Sequence, residues 1–399
     1  MHLDHRRIFL EQLAPTSESP LLIEIERAQG SMLYPREGLP LIDLIGGISV
    51  CNIGHSHPHV VRAVQQQAER YMHVMVYGEL VQAPQVMYAQ KLCSYLPEKL
   101  NCIYFTNSGA EATEGAMKLA KRATGRTRIL YCQYAYHGST QGALSVMGDE
   151  YFKRNYRPLL PEAYMIRFGE EEDLLQIDEM TAAVIMEPIQ AERGVIIPSE
   201  DYLQKVRAKC EQAGALLILD EIQTGIGRTG KMFAFEHFEI EPDILLLGKA
   251  LGGGMPLGAF VASQSLMRLL ASNPVLGHIT TFGGHPVSCA AGLAALEVLE
   301  NENILEQVEQ KGRLFEEYLS VIGARALRRK GLMMAVEFYS KEQCLRIINE
   351  LIKKGVFTDW FLFAPHCMRI APALNIPDAL IQQACEIIAE CVHAEIKLK

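Results

Sequence analysis

The sequence lacks the features that define several classes of protein. It has no apolar run of about 18 residues, which a membrane-spanning helix requires. The charged start "MHLDHRRIFLEQL" contains no long apolar region, so we expect no secretory signal peptide and a cytoplasmic location. The net charge of −9 leaves no basic excess for binding nucleic acid or an acidic membrane surface. Small-molecule chemistry therefore becomes the default expectation.

Metal-binding and disulfide patterns are also missing. The ten cysteines include no CxxC pair and no short regular spacing, which argues against a zinc site and a disulfide framework and favours reduced thiols. His55, His57 and His59 alternate in "GHSHPHVV", but Pro58 between them suits a turn better than a preformed set of ligands. We therefore expect no metal.

The chain has the length and apolar content for more than one folding unit. It has 399 residues, of which 49% are hydrophobic, and no repeat or Pro/Gly/Ser-rich linker divides it. Several short apolar runs lack polar alternation, which is typical of strands buried on both faces of a mostly parallel sheet covered by helices. These runs cover residues 126–132, 182–188, 215–221, 243–249 and 257–263. The sequence thus predicts a large α/β domain.

Helical patterns separate these runs, and the rhythm changes after residue 300. Ser199 is a candidate N-cap for the second of the helices predicted over residues 111–124, 201–213, 288–301 and 304–319. Further on, apolar runs at 332–338 and 366–372 alternate with helices and predict a smaller α+β unit. We expect residues 51–300 to form the large domain, and residues 301–399 the small domain, joined by residues 1–50.

Charged residues follow three of the predicted strands. Glu187, Asp220 with Glu221, and Lys249 each come directly after an apolar run. Ligands of open α/β sheets gather at the carboxyl ends of the strands, so these charges predict a site. Lys249, in "ILLLGKALGGG", is on local pattern either a surface lysine or an amine nucleophile in a desolvated pocket.

Two glycine-containing segments suggest phosphate or nucleotide binding to different degrees. "TNSGAEATEG" leads from a strand through Ser108 and Gly109 into a helix, whose first N–H groups suit a phosphate, although Ser108 is equally compatible with a plain N-cap. "GIGRTG", residues 225–230, satisfies the dinucleotide pattern, but four residues separate it from the strand end and no acid follows at the required spacing. A nicotinamide-dependent dehydrogenase is therefore the weaker hypothesis.

The chain resembles the class III pyridoxal-phosphate (PLP) aminotransferases of fold type I over nearly its whole length. The resemblance rests on an ordered set of separated motifs rather than on one segment. They are "LIDLIGGISVCNIGHSHPHVVRAV", "NSGAEATEGAMKLA", "YHGST", "EPIQAERGVIIP", "LLILDEIQTGIGRTGKMFAFEH", "LLLGKALGGGMPLGA", "TTFGGHPVSCAA" and "MRIAPALNIP".

The resemblance implies roles for the strand-end residues and their neighbours. Lys249 would bind the cofactor aldehyde covalently, and Asp220 would pair with the protonated pyridine nitrogen that makes the ring an electron sink. Gln223 would face the ring hydroxyl, and Tyr136 would stack on the ring. Further cofactor contacts are implied for the phosphate cradle Ser108, Gly109 and Ala110, for His137 and Glu187, and for Thr281 supplied by the second subunit of a homodimer.

The resemblance also implies a substrate site and shows one departure from the family pattern. Glu192 and Arg369 match a pair of the family in which the arginine binds a substrate carboxylate and the glutamate either occupies or releases that arginine. A static ion pair is the alternative interpretation of these two residues. Thr280 is implied as a further substrate contact. Relatives acting on ornithine, acetylornithine or 4-aminobutyrate read "HGR" where this chain reads "HGST". Ser139 thus replaces the arginine that binds those substrates, which puts them in doubt.

The resulting prediction is a PLP-dependent aminotransferase that uses an amine or amino acid donor and a 2-oxo acid, 2-oxoglutarate or pyruvate, in a ping-pong cycle. The motifs around the cofactor do not separate this activity from that of an aminomutase, a racemase or a decarboxylase on the same scaffold. These three remain alternatives.

Overall fold

The computed structural model describes residues 4–397, in which three β-sheets are surrounded by helices. The strands are β1 (Ile25–Gln29), β2 (Met32–Pro35), β3 (Leu41–Asp43), β4 (Cys102–Thr106), β5 (Arg128–Cys132), β6 (Ala163–Ile166), β7 (Thr181–Met186), β8 (Leu216–Asp220), β9 (Ile244–Leu247), β10 (Gly258–Ala262), β11 (Ala326–Lys330), β12 (Met333–Glu337), β13 (Val356–Phe357), β14 (Trp360–Phe361) and β15 (Ala364–Ile370).

The α-helices vary from single turns to long amphipathic segments. They are α1 (His5–Gln12), α2 (Gly46–Ser49), α3 (Pro58–Arg70), α4 (Ala83–Cys93), α5 (Gly109–Thr124), α6 (Gln141–Ser145), α7 (Glu150–Lys153), α8 (Tyr202–Ala213), α9 (Gln264–Met267), α10 (Pro286–Asn301), α11 (Ile304–Leu319), α12 (Lys341–Lys353) and α13 (Asp378–Lys397). Within residues 4–397, none of these helices is both long and apolar enough to cross a bilayer.

The central sheet has seven strands in the order β4-β10-β9-β8-β7-β5-β6. The last five are parallel to one another, and β10 runs antiparallel to both of its neighbours. Alternate residues of β7 enter two different cores, because Val184 and Met186 pack on one face while Ala183 and Ile185 pack on the other. Burial on both faces explains the apolar runs without alternation. The predicted mostly parallel α/β sheet is confirmed.

All four predicted helices between residues 111 and 319 are present, but one predicted cap is wrong. Helix α8 begins at Tyr202, with Asp201 rather than Ser199 as its N-cap. Ser199 lies two residues before this cap, and its hydroxyl donates to Asp201 Oδ1 at 3.1 Å rather than capping the helix. The sequence "PSED" offers adjacent capping candidates, and local pattern does not choose between them.

Two smaller sheets bring the two ends of the chain together. One has the order β1-β2-β3-β13 and the other the order β11-β12-β15-β14. Strand β3 pairs with β13 in parallel, with Ile42 opposite Val356. This pairing supports the expectation that residues 1–50 join the C-terminal unit, while the boundaries between 1–50, 51–300 and 301–399 stay predictions.

Helix α10 passes close behind the turn that carries Lys249, and a glycine makes that approach possible. A Cβ atom on Gly292 would overlap the carbonyl oxygen of Leu251 and would lie 2.7 Å from Cε1 of Tyr88. The Tyr88 hydroxyl donates to that same carbonyl from a fully buried position. Gly292 therefore allows α4, α10 and the Lys249 turn to pack together.

Replacing Gly292 with Ala is expected to lower the free energy of unfolding by about 1–2 kcal/mol. Alanine favours a helix by about 1 kcal/mol over glycine, but overpacking typically costs about 1–3 kcal/mol, and here a backbone carbonyl has to move. Urea unfolding measures the change. The exposed Gln66 of α3, replaced with Ala, is the control for helix propensity alone and should not destabilise the protein. A G292A protein as stable as the wild type would contradict this packing argument.

Candidate active site

Three neighbouring parallel strands end at one cavity. Glu187 follows β7, Asp220 is the last residue of β8, and Lys249 lies just beyond β9. All three side chains line a cavity of about 480 Å³. The expectation that these strand-end charges gather at the carboxyl edge of the sheet is therefore confirmed.

Most of the residues predicted for the site line this cavity, and three do not. Those that line it are Ser108, Gly109, Ala110, Tyr136, His137, Glu187, Glu192, Asp220, Gln223 and Lys249. Arg369 lies behind the cavity, against Glu192 and Gln223. Thr280 and Thr281 lie elsewhere in the same chain.

Lys249 is held in an unusual backbone conformation at the start of a 3-10 turn, Lys249–Gly252. Its φ of 47° lies in the left-handed region, which costs free energy for any residue with a Cβ. Burial lowers the pKa of Lys249 to about 8. Roughly a tenth of the amine is therefore unprotonated at pH 7, far more than for a lysine with the usual pKa of about 10.4, and the unprotonated form is the nucleophile.

Asp220 is a buried carboxylate with two fixed partners. Its Oδ2 lies 2.6 Å from His137 Nδ1, and its Oδ1 accepts from the backbone N–H of Ile222 at 2.9 Å. His137 is itself held through its carbonyl, which accepts from Thr113 Oγ1 at 3.0 Å. These contacts fix the direction of the carboxylate, and the role of His137 as a cofactor contact stays a prediction.

Glu187 differs from Asp220 although the two lie in the same cavity. Burial, together with the nearby charge of Asp220, raises the pKa of Glu187 well above its usual range. Its side chain accepts from the N–H of Ala191 at 3.2 Å, while Oε2 has no hydrogen-bond partner among residues 4–397. The raised pKa favours the neutral form of Glu187, which has an unused polar atom, Oε2, at the cavity.

The start of helix α5 forms another wall of the cavity. Ser108 caps this helix by accepting the N–H of Glu111 at 3.2 Å, as the sequence predicts. A Cβ on Gly109 would lie 2.6 Å from Cδ1 of Ile222, so any larger residue there would require the Ile222 side chain to shift. The first N–H groups of the helix and its positive dipole end favour an anion at this position.

Glu192 and Arg369 form a buried two-point ion pair at the rear of the cavity. Arg369 Nη1 donates to Glu192 Oε1 at 2.8 Å, and Nη2 donates to Oε2 at 3.1 Å. Burial opposes ionisation of Glu192, but the Arg369 guanidinium outweighs it and lowers the pKa of Glu192 to about 2. Gln223 bridges the pair, donating to Glu192 and accepting from Arg369, each at 3.2 Å.

Thr280 and Thr281 lie at the surface, away from the Lys249 cavity. Thr280 Oγ1 accepts from Asn107 Nδ2 at 2.8 Å and lines a second, open cavity of about 640 Å³, and Thr281 is exposed. Residues 76–79 line this second cavity as well. Within one chain, neither threonine reaches the Lys249 cavity.

The remaining sequence motifs have structural surroundings of their own. His55, His57 and His59 contact three different carboxylates, so they do not converge on one point. "GIGRTG" forms consecutive turns that no α-helix follows directly, unlike the turn of a dinucleotide site. Its Arg228 is fully buried and donates to the backbone carbonyls of Leu332 and Pro372.

Sequence reasoning missed one charged contact at the site. Asp359 Oδ1 accepts from Arg369 Nε at 2.8 Å. The residue lies in "VFTDWF", between the short strands β13 and β14, where no periodicity or motif marks it. Only the antiparallel pairing of β14 with β15 brings it beside Arg369.

The lowered pKa of Lys249 predicts a pH dependence that needs no substrate. Below pH 8 the protonated amine does not react with an acylating reagent, and above it the free amine does, so modification should be half-maximal near pH 8. Mass spectrometry of the peptide containing Lys249, after short pulses of acetic anhydride on cofactor-free protein, in which the amine is not covalently bound, measures the profile. A model lysine amide, with a pKa of about 10.4, is the reference. A Lys249 profile that coincides with this reference would show that burial does not shift the amine.

Comparison with known proteins places this site in a family. The sequence profile of "Aminotransferase class-III" matches residues 13–392. Among solved structures, a transaminase from the marine bacterium Virgibacillus is 25% identical with a TM-score of 0.93, covering 99% of this chain and 100% of its own. The ornithine aminotransferase of Toxoplasma gondii ME49 is 28% identical with a TM-score of 0.91, covering 99% of this chain and 96% of its own.

A second structure of the Toxoplasma gondii enzyme, crystallised with oxidised glutathione, holds PLP at partial occupancy in its active site. It is 28% identical to this chain with a TM-score of 0.90, and covers 100% of this chain and 96% of its own. These neighbours confirm fold type I for the whole chain. The match over residues 13–392 shows that the protein belongs to the class III aminotransferases, a family of PLP-dependent enzymes.

Proposed function

We propose that this protein transfers an amino group from an amine or amino acid to a 2-oxo acid, 2-oxoglutarate or pyruvate, in two successive half-reactions of a ping-pong cycle. One observation carries the proposal. Lys249, with its lowered pKa, shares a cavity with the buried carboxylate of Asp220 and the start of helix α5. A nucleophilic amine, a fixed anion and an anion-binding helix end are what PLP requires.

The residues present fit PLP at its three chemically distinct points. Lys249 would hold the aldehyde, Asp220 the ring nitrogen, and Ser108, Gly109 and Ala110 the phosphate at the start of α5. Tyr136, which lines the same cavity, would stack on the ring, and Gln223 would face its hydroxyl. When bound, PLP supplies an electron sink that stabilises negative charge on the substrate carbon.

The surrounding residues would hold Lys249 and Asp220 ready for their parts in the reaction. Lys249, once free of the cofactor, would move a proton from one carbon to the other as a general base. Asp220 stays oriented because His137 Nδ1 and the Ile222 N–H hold its two oxygens. The raised pKa of Glu187 favours its neutral form, which would avoid a second anion beside Asp220.

The Glu192–Arg369 pair would serve as the carboxylate site for the 2-oxo acid. An arginine that makes two parallel hydrogen bonds to Glu192 has the geometry to bind a substrate carboxylate in the same way. Glu192 lines the cavity, so its departure would open Arg369 to the substrate. The 2-oxo acid would take the place of Glu192 in the second half-reaction.

The donor is expected to have a far end that is neutral, apolar or anchored differently from that of ornithine or 4-aminobutyrate. Ser139, which lines the cavity, brings no charge there, and its Oγ lies 3.2 Å from the Tyr136 hydroxyl. With Glu192 paired to Arg369, the closed site has no free guanidinium. A donor amine without a carboxylate at its far end suits these surroundings.

A homodimer completes the proposed site. Exposed apolar side chains cluster in and around the second cavity, as they do at many protein–protein contacts. The exposed members include Val86, Val275, Leu276, Ile279 and Phe282. Thr280 and Thr281 lie within this patch, so a second copy seated on it would cover them, and the family resemblance implies that Thr281 then contacts the phosphate of the partner's cofactor.

Replacing Lys249 with Ala is expected to remove the absorbance band of lysine-bound cofactor and to lower turnover by at least about 10²–10⁴-fold, the range of general acid–base catalysis. Asp220→Asn should leave the fold largely intact, because the amide has the shape of the carboxylate and its oxygen can still accept from the Ile222 N–H. It should lower turnover by at least about 10²-fold, because the ring loses its counter-charge. Absorbance spectra and amino transfer to 2-oxoglutarate from a panel of amines, diamines and ω-amino acids provide the measurements.

The exposed Lys341, replaced with Ala, is the control and should behave as the wild type. A K249A protein that keeps the band unchanged would show that another residue binds the cofactor. If the wild-type holoenzyme racemises, isomerises or decarboxylates an amino acid without transferring its amino group, the result would favour the racemase, aminomutase or decarboxylase alternative.

Ser139→Arg is expected to improve donors with a carboxylate remote from the amine. A new arginine beside the cavity adds a charged hydrogen bond worth about 1.5–3 kcal/mol, so kcat/KM for 4-aminobutyrate should rise about tenfold or more. Ser139→Thr keeps the hydroxyl without the charge and is the matched control. Steady-state kinetics that show the same change in both variants would indicate that residue 139 does not set the choice of donor.

A further inference from the structure

The N–H groups of Arg369 point in two directions. On the front edge, toward the cavity, Nη1 and Nη2 donate to Glu192, and Nη1 also donates to Gln223. On the rear edge, Nε donates to Asp359 Oδ1 at 2.8 Å, and Nη2 donates to the carbonyl of Trp360 at 3.2 Å. Glu192 and Gln223 line the cavity, whereas Asp359 and Trp360 do not.

The rear contacts are built into the backbone. The N–H of Arg369 donates to the carbonyl of Asp359 at 2.9 Å, and the Thr358 hydroxyl donates to the carbonyl of Arg369. These bonds tie the 358–360 segment to strand β15. Asp359 therefore cannot move away from Arg369 as a free side chain on a loop would, and it keeps its place whatever happens at the front edge.

The same segment also positions Glu192. The N–H of Leu362 donates to Glu192 Oε2 at 3.0 Å, and the N–H of Phe363 donates to the Glu192 carbonyl at 3.0 Å. Both partners of the front-edge ion pair thus depend on the chain between residues 358 and 363. The Arg369 guanidinium also lies over the Phe361 ring, 4.5 Å from its centroid.

Departure of Glu192 would leave a buried guanidinium without its front partner. Arg369 is almost fully buried, and an uncompensated charge in such a position is strongly unfavourable. Asp359 lies in direct contact with the same guanidinium. Burial raises the pKa of its carboxyl, but the adjacent Arg369 cation opposes this rise and favours the charged form that compensates it. One cation thus has two carboxylates, of which one faces the cavity and can be exchanged, while the other is fixed.

We propose that Asp359 is a positioning residue for substrate carboxylates: it is the permanent counter-ion of Arg369, and it holds the front edge of the guanidinium toward the cavity while Glu192 and a 2-oxo acid exchange there. This role rests on the proposed aminotransferase function of the same site. Asp359 touches neither substrate nor cofactor, and it acts only through Arg369.

This role predicts a selective effect on carboxylate binding. Asp359→Ala removes both the charge and the acceptor for Nε, so the guanidinium is free to turn away from the cavity. Asp359→Asn keeps an acceptor oxygen at Nε but loses the charge, so its effect should be intermediate. The half-saturating concentration of 2-oxoglutarate should rise about tenfold or more in D359A and less in D359N, whereas the limiting rate should stay within about threefold of wild type.

Stopped-flow mixing of each holoenzyme, loaded with pyridoxamine phosphate, against 2-oxoglutarate separates these two quantities. The exposed Asp201, which pairs with Lys205 far from the cavity, provides D201A as the matched control. Absorbance spectra of the loaded variants show whether the cofactor site itself is unchanged. If D359A does not fold, D359N alone must raise the half-saturating concentration by at least about threefold.

Half-saturation in D359A equal to that of wild type and D201A would overturn the proposal. A fall in the limiting rate as large as the rise in half-saturation would also overturn it, because that is the result of general damage to the site. If the loaded wild-type enzyme reacts with neither 2-oxoglutarate nor pyruvate, the proposed function itself is wrong. If the wild type reacts and D359A matches it, only the role of Asp359 fails.

Discussion

The parallel pairing of β7, β8 and β9 is the constraint on which the rest of the site depends. Parallel neighbours end at the same edge, so one register places Glu187, Asp220 and Lys249 around one cavity. Because the side chains in this cavity are buried, the pKa values of Lys249 and Glu187 shift in opposite directions. The pKa of Lys249 falls to about 8, and that of Glu187 rises. Asp220 is held by a histidine and a backbone N–H.

A second set of contacts comes from the C-terminal part of the chain and determines what the cavity accepts. Arg369 on β15 reaches the rear of the cavity from a different sheet, and the 358–363 segment fixes both Arg369 and Glu192. The central sheet thus supplies the groups that would handle the cofactor, and the C-terminal sheet supplies those that would recognise a carboxylate.

The sequence predicted those parts of the fold that depend on local pattern. Unalternated apolar runs predicted the buried strands because a sheet covered on both faces needs no polar side. The strand-end charges predicted the cavity because chain direction alone determines where parallel strands end. The sequence did not predict that Asp201 rather than Ser199 would cap α8, because nearby polar residues are all suitable for that position.

Contacts between residues far apart in the chain were less accessible. The resemblance to the family indicated the pairing of Glu192 with Arg369, but nothing in the sequence indicated that Asp359 would lie behind Arg369 or that His137 would contact Asp220. Each of these depends on strand register or on the path of a turn. The proposed contact of Thr281 with a partner's cofactor would depend on a second chain, so a single protomer does not contain it.

Transamination in two separable halves is the central claim, and a single-turnover experiment tests it most directly. Holoenzyme is mixed with an accepted amine donor and no 2-oxo acid, and the cofactor absorbance and the carbonyl product are followed together. We expect the band of lysine-bound cofactor to disappear with release of carbonyl product equal to the enzyme present, and to return when 2-oxoglutarate or pyruvate is added. Continuous product formation from the donor alone, with the band retained, would contradict the claim.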